Sequence, residues 1–512
     1  MNPGERNYEA IIIGSGIAGL AAAAALAKRG RRVLVVDRHT QLGGLTQTFT
    51  RGEYRFATGV HYLGGVGEQP GSGGQFGRLL RWLTDGRLDF ASVGSPYDVV
   101  RLPGLEFPVE APREAYVARL KATFPNEIAA IDTYFAACDE AQRASTALFA
   151  ARALPAPVAT LVRWRNAARV RRTLHTTTAD AMRDIRDRRL AALLAARWGA
   201  YGMPPADSPF AVHALVTGSY YAGAYYPIGG PAKFAEAFSE TVRAAGGELR
   251  TNAAVAEIRV AEGATVGVRL ASGESIDAPI VVSAMGAHNT VAALPADVAP
   301  DWRRSIESLR SGVSYVTLYL GFRGDIRRCG ATPANVWVYE GDDIGRLWEH
   351  PADEDAPHLF VSFPSLKDPA HRDAERHTGE VFVLCRWEPF SGWAGSTPAH
   401  RPEEYAATKA WIGSRLLAQF GRHFPKLLPL VEFQEVSTPL SQAAFVGADR
   451  GATYGLEMSA ERMSNAALRV RTPVRGLLLA GQDAAGPGIP GALMGGLMAA
   501  ISVEPGLPGL VS

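Results

Sequence analysis

The chain is poor in cysteine and nearly neutral. Cys138, Cys329 and Cys385 are scattered over 512 residues and form no CxxC pair. That excludes a disulfide framework and a structural zinc site, and it fits a reducing compartment. The net charge of +2 gives no global electrostatic case for nucleic acid. There is no internal repeat, low-complexity tract, P-loop, zinc motif or Ser/His/Asp arrangement that can be defended, so no metal is expected.

One long apolar run is present. Residues 10–27 read AIIIGSGIAGLAAAAALA, with Ser15 as the only polar side chain. Length alone makes this a candidate membrane span, and its position suits an export signal. Arg6 is the one basic residue before it, too little for a signal's basic region. Glycines cut the run into short pieces, which disfavours a span.

Those glycines have a spacing. Gly14, Gly16 and Gly19 form GxGxxG between an apolar strand, Ala10 to Ile13, and an alanine-rich helix that stops near Gly30. A second strand, Arg32 to Val36, ends in Asp37. Gly14 makes the turn, Gly16 lets backbone approach a pyrophosphate, and Gly19 lets the helix pack on the strand. The helix N-terminus stabilises phosphate charge, and Asp37 can bond a ribose hydroxyl. This predicts a dinucleotide site, and GxGxxG alone does not separate FAD from NAD(P).

Three later features favour FAD. A glycine pair, Gly43 and Gly44, follows Asp37, as in two-domain amine oxidase flavoenzymes. Val255 lies in a strand-like run before another strand, Ile280 to Ser283, and in such folds it touches adenine through its backbone. Gly476 to Asp483 reads as a strand ending in a carboxylate, and Gly486 to Ala492 opens a last helix. That helix start can aim N–H groups at a reduced ring. No second strand–GxGxxG–helix unit appears, so a resident NAD(P)H domain is not expected.

The chain resembles the phytoene desaturase and carotenoid isomerase family of FAD oxidoreductases, and within it the retinol saturase branch. The resemblance is carried by GSGIAGLAAAAALAKRGRRVLVVDRHTQLGG, TGVHYLGG (Thr58 to Gly65), YGMPPADSPFAVHAL (Tyr201 to Leu215) and YYPIGG (Tyr225 to Gly230). FPSLKDP (Phe363 to Pro369), RGATYGL (Arg450 to Leu456) and LAGQD complete it. It implies non-covalent FAD along Gly14, Ser15, Gly16, Ile17, Ala18 and Gly19, then Asp37, Arg38 and His39, then Gly43, Gly44, Leu45 and Thr46. Gly59, Val60, Val255, Gly481, Asp483, Gly491, Ala492 and Leu493 complete the set. The reading is α/β: a Rossmann-type FAD domain (5–65, 225–290, 470–504), an α+β substrate domain (88–109, 291–469) and a helical subdomain (110–210). The substrate sheet is expected to carry helices on one side.

Two segments stand apart. Gly64 to Gly77 holds seven glycines with no strand before it, and reads as a lid rather than a second phosphate loop. Leu161 to Arg172 sets Arg163, Arg165, Arg169, Arg171 and Arg172 among Leu161, Val162, Trp164 and Val170. It reads either as a solvated basic face or as a contact for anionic lipid. Secretory members of the family carry an N-terminal signal and none is seen here, so the expectation is a cytoplasmic enzyme, either cytosolic or associated with a membrane surface.

The resemblance implies redox chemistry on carbon–carbon double bonds of an apolar polyene or acyl chain. Saturation leads; desaturation and isomerisation stay open. Saturation needs a proton donor beside the flavin. His61 and Tyr62 are the first candidates, with His213 and Tyr225 behind them, and Tyr454 as a residue that closes the channel. Two other classes share the fold: a flavin amine oxidase, for which no lysine can be placed, and a prenyl-lipid carrier without flavin. The electron donor cannot be read from the chain.

Overall fold

The computed structural model describes residues 8–68, 73–153 and 156–507. The start of the domain expected from residue 5, the middle of the 64–77 stretch and Pro155 lie outside these residues, as does the Arg163 side chain.

The apolar run is a strand, Ala10–Ile13, and a helix, Ile17–Ala27. The strand is central in a five-stranded parallel sheet ordered Leu477–Leu479, Ile280–Ser283, Ala10–Ile13, Val33–Val36, Glu248–Arg250. Four sequence-distant segments therefore share one sheet. All eleven residues of the helix are buried, between the sheet and the helices Ala232–Ala244 and Gly488–Val503. Burial on every side explains a helix without a polar face. Among the described residues, no helix is long and apolar enough to cross a membrane.

Small residues make this packing possible. A Cβ on Gly19 would lie 1.8 Å from the Gly14 carbonyl oxygen. One on Gly496 would lie 2.0 Å from the Ala18 carbonyl oxygen. Helix and turn, and helix and helix, thus meet backbone to backbone.

The second sheet has seven strands, ordered Val431–Ser437, Ser314–Arg323, Arg376–Cys385, His358–Ser362, Asn335–Tyr339, Asp98–Leu102, Leu105–Val109. Its pairs are antiparallel except Asn335–Tyr339 with Asp98–Leu102. The alternation is strict. Tyr315, Trp337, Phe360, Phe382 and Leu384 face the helical subdomain. Val316, Leu318, Val361, Val381 and Val383 face the helix Glu403–His423. The sheet is therefore covered on both faces, and the expectation of helices on one side is corrected: near-continuous apolar strands need two covers.

The boundary at 290 also moves. The Rossmann core takes in Val291, Trp302, Ile306 and Leu309, and from the other side Leu456 and Leu468. The two described ends of the 64–77 stretch are packed. Gly64 sits against the Ser219 backbone, and the helix Gln75–Leu83 starts within the stretch.

Gly496→Ala should cost about 1–3 kcal/mol of stability through overpacking. The check is a lowered thermal midpoint; an unchanged one would show that the helices can separate without cost.

Candidate active site

The loop between Ala10–Ile13 and Ile17–Ala27 forms the floor of a cavity of about 530 Å³. Gly14 turns there with φ +94°, and its N–H donates to the Val36 carbonyl (2.8 Å). Gly16 bridges to Gly43, and a Cβ on Gly16 would meet nothing within 4 Å. A Cβ on Gly44 would approach Gly16 Cα to 3.2 Å. The N-terminus of Ile17–Ala27 has no side-chain cap. Its free N–H groups and partial positive charge suit an anion. The helix Gly488–Val503 likewise begins without a side-chain cap, and Gly488, Ile489 and Ala492 line the same cavity.

Of the residues expected on a cofactor, Gly14, Gly16, Ile17, Ala18, Asp37, Arg38 and His39 line this cavity. So do Gly43, Gly44, Leu45, Thr46, Gly59, Val60, Val255, Gly481 and Ala492. Five do not. Ser15 is buried beneath, donating to Asp37 Oδ2 from N (2.7 Å) and Oγ (2.5 Å). Gly19 packs on Gly14, and Leu493 lies in the core. Gly491 lines the neighbouring apolar cavity. Asp483 lines a smaller cavity of about 140 Å³, and its two oxygens accept the N–H groups of Ala287 (2.8 Å) and Leu456 (2.9 Å). Its carboxylate ties the helix Ala287–Ala292 to Leu456.

Arg38 reaches out of the cavity. Its guanidinium donates to the carbonyls of Ala443 (3.1 Å) and Ala444 in the π-helical turn Gln442–Val446. Asn289 Nδ2 donates to the Gly447 carbonyl (2.8 Å), and His288 Nδ1 pairs with Asp449 Oδ2 (2.8 Å). Ser311 Oγ also donates to Asp449. This segment of the second domain is thereby pinned across the edge of the Rossmann cavity.

The second cavity, about 700 Å³, is apolar. Trp337, Phe360, Phe382 and Leu384 of the seven-stranded sheet form one wall, and Met494 and Met498 of Gly488–Val503 another. Gly59, Val60, Thr453, Tyr454, Gly488 and Ile489 line both cavities and mark their junction. The Tyr454 hydroxyl donates to the Gly199 carbonyl (3.1 Å), so the ring stands fixed there.

His61 lines the apolar cavity, its ring edge-on to Phe382 with centroids 4.3 Å apart. Its Nδ1 is 3.0 Å from Glu380 Oε2, a charge contact without hydrogen-bond alignment, and both atoms are sealed from solvent with no hydrogen-bond partner. Burial pulls the imidazole below its ordinary value, Glu380 opposes that and Lys367 adds to it. Tyr62 also lines the cavity, but its hydroxyl donates to Asp98 Oδ2 (3.1 Å). Burial and Asp98 hold that hydroxyl firmly protonated. Its proton is directed away from the cavity, which corrects the expectation of a donor.

The two second-rank candidates lie off the cavity. His213 is fully buried between the Tyr134 (2.8 Å) and Tyr201 (3.1 Å) hydroxyls, and burial pushes it down to about 3. It is a core histidine. Tyr225 exchanges backbone hydrogen bonds with Leu63 (both 2.9 Å), and its partly exposed ring is outside the cavity lining.

Behind His61 lies a set of buried charges that the motifs did not single out. Lys367, 1% exposed, donates from Nζ to the His61 carbonyl (2.8 Å), Ser362 Oγ (2.7 Å) and Asn335 Oδ1. Burial pulls the ammonium down to about 7 against Glu380 and Asp98. Asp98 pairs with Arg197 (2.7 Å), whose guanidinium lies over the Tyr97 and Tyr220 rings. Glu380 Oε1 accepts the Ala57 N–H (2.8 Å). Asp368, beside Lys367, accepts the Gly229 N–H (3.1 Å). Two signals were available: the lysine of FPSLKDP, and Glu380 in register with Phe382 and Leu384 on the inward face of a strand.

A glycine-cradled dinucleotide cavity that adjoins an apolar cavity between two domains defines a two-domain oxidoreductase of the flavin amine oxidase architecture. A family profile described as NAD(P)-binding Rossmann-like domain matches residues 12–75. Cyclohexylamine oxidase of Brevibacterium oxydans has a similar fold, with TM-score 0.64 and 18% identity over 99% of both chains. The chain belongs to the all-trans-retinol 13,14-reductase family. It is 32% identical to the rat protein of that name over 97% of this chain and 85% of the relative. Prolycopene isomerase of Arabidopsis thaliana is a more distant relative, 25% identical over 88% of this chain and 75% of its own.

The His288–Asp449 pair sets a pH dependence. His288 is raised above 6.5, first by its hydrogen bond to Asp449, and Asp449 is lowered below 3.8, first by His288. The stabilisation from the histidine is complete below about pH 6.5 and lost as pH rises through its raised value; that from the aspartate is complete above about pH 4 and lost on acidification. Thermal stability should therefore fall as pH rises above about 6.5, and His288→Gln should remove that part of the fall. An identical melting profile in the variant would exclude the pair as its source.

Proposed function

We propose that this chain is an FAD-dependent oxidoreductase acting on a carbon–carbon double bond of a long apolar polyene, a retinoid or carotenoid, with saturation as the leading reaction. The carrying observation is the shared wall: the dinucleotide cavity adjoins an aromatic-lined apolar cavity along Gly59, Val60, Thr453, Tyr454, Gly488 and Ile489. The names of the relatives support the same substrate class.

The Gly14–Gly16 turn and the start of Ile17–Ala27 would hold the pyrophosphate. Asp37 would hold a ribose, Val255 the adenine, and the start of Gly488–Val503 the ring. Bound flavin supplies hydride transfer at N5. The chain's own part is to exclude water, align the polyene between aromatic faces, and hold a proton at His61. Lys367 is buried away from the cavity lining, which disfavours an amine oxidase reading that needs a cavity lysine.

The purified protein should show oxidised-flavin absorption. Reduced anaerobically and mixed with all-trans-retinol or a conjugated carotenoid, it should give a product heavier by two hydrogens. Unchanged mass with shifted absorbance would assign isomerisation instead, and a protein that cannot take up flavin would support the carrier reading. His61→Gln should slow the protonation-linked step about 10²–10⁴-fold; wild-type rates would remove His61 as the donor.

A lipid surface is the second partner we propose. Val158, Leu161 and Trp164 are exposed on the helix Ala156–His175, Trp164 at 75%. Arg165 is exposed on the same helix, while Arg169 (3.9 Å) and Arg172 pair with Glu140. An exposed tryptophan among apolar and cationic side chains suits an anionic interface. The protein should sediment with vesicles containing anionic lipid more than with zwitterionic ones. Trp164→Ala with Arg165→Glu should abolish the difference, and equal binding by the variant would refute this face.

A further inference from the structure

Lys367 and Glu380 are off the apolar cavity, yet both grip a residue that is on it. Lys367 holds the His61 main chain through its carbonyl. Glu380 faces the ring: Nδ1 and Oε2 are 3.0 Å apart, out of hydrogen-bond alignment, sealed from solvent and with no hydrogen-bond partner elsewhere. Glu380 is itself fixed by the Ala57 N–H, and Lys367 by Ser362 and Asn335. Phe360 and Phe382 confine the imidazole edge-on. A carboxylate oxygen 3.0 Å from a bare ring nitrogen sets lone pair against lone pair, so its charge favours the hydrogen on Nδ1. Nε2 is then the atom left for the cavity.

We propose that Lys367 and Glu380 are positioning residues for His61: they fix its Nδ1–H tautomer and its charge, so that Nε2 is the acid that serves the reacting double bond. This rests on the double-bond reading of the cavity. In the step, the Nε2–H bond breaks and a C–H bond forms at one alkene carbon as the π bond is lost. Bound reduced flavin would supply the hydride for the other carbon and would be left oxidised. His61 is left neutral and regains its proton from water.

The charges facing His61 are Glu380 from the strand Arg376–Cys385 and Lys367 from the short helix Pro364–Lys367. Tyr226 lies 5.9 Å from the Lys367 ammonium, and Asp98 and Arg197 stand behind it through Asn335 and Tyr62. Arg197 and Lys367 stand against the carboxylates Asp98 and Glu380, with Asp368 next to Lys367 in the chain and occupied by the Gly229 N–H and His371. Glu380 favours a proton on His61 and Lys367 opposes it, which agrees with the direction each exerts on the imidazole. The lysine itself is drawn down to about 7, so the two groups compete for charge in one buried volume.

The opposition gives the test. Holoenzyme labelled with ¹⁵N-histidine is titrated by NMR, and His61→Gln identifies the resonance. Neutral His61 should be the Nδ1–H tautomer. Lys367→Met should raise its midpoint by about one pH unit, and Glu380→Gln should lower it by about as much and mix the tautomers. Lys367→Arg should leave it near the wild-type value. Residues that merely pack would behave otherwise: loosening the site admits water and moves both variants upward. If Lys367→Met does not fold, the Glu380→Gln shift and the wild-type tautomer still decide. An Nε2–H tautomer, or shifts of one sign in both variants, would overturn the proposal. Opposite shifts in a protein that turns over no polyene would leave the positioning standing and sink the double-bond reading.

Discussion

Backbone must touch backbone for this molecule to form its cavities. The helix Ile17–Ala27 is pressed onto its own turn at Gly19 and onto the last helix at Gly496, at distances that no side chain allows. Gly491 repeats the contact against Gly486, where a Cβ would lie 2.0 Å from the carbonyl oxygen. These approaches bring two uncapped helix N-termini to one cavity. Unpaired N–H groups at a helix start are a cost in an apolar interior and an asset beside an anion. The alanine-rich composition that imitates a membrane span is the composition that lets the helices come this close.

The second constraint is the placement of charge. The cavity wall is aromatic, and Arg197, Asp98, Lys367 and Glu380 sit behind it. Burial of such a set is not a source of stability, but loss of one member strands its partner, at a cost of about 3–5 kcal/mol. The arrangement is better explained by what it does where it meets the cavity at His61. Fixed dipoles and charges that need not reorganise hold a proton-bearing ring at an apolar surface, where bulk water would otherwise set the protonation state.

The parts legible in the sequence are those whose physics is local. A strand, a glycine turn, a helix and a terminal acid occupy 28 consecutive residues, Ala10 to Asp37, and their geometry follows from spacing alone. The cofactor-facing glycines follow for the same reason. The candidates that failed are those where a reactive side chain could be seen but not its neighbours. His213 looks like His61 in one dimension; the Tyr134 hydroxyl, from the helix Ile128–Ala153, and the Tyr201 hydroxyl, twelve residues upstream, decide that it is structural. Tyr62 is on the cavity as expected, and Asp98, 36 residues away, turns its proton elsewhere. Arg38 stands beside the ribose acid in the chain, and the turn that uses it lies 405 residues on. No spacing rule reaches that far.

The motifs of the saturase branch make sense as one object. HYLGG and YYPIGG are joined by the paired backbone bonds of Leu63 and Tyr225. FPSLKDP closes both: Lys367 takes the carbonyl of His61, and Asp368 takes the N–H of Gly229. Three segments spread over 306 residues between His61 and Lys367 thus form a single knot of charge-assisted hydrogen bonds to main chain. A side chain that binds main chain constrains position without constraining its partner's side chain. That leaves position 61 free to carry a ring and position 229 free to turn with φ +86°. It also fixes the loop that carries Gly59 and Val60 against the sheet that carries Phe360 and Phe382. The junction of the two cavities is therefore held from the substrate side, by a lysine and an aspartate that need not touch either ligand.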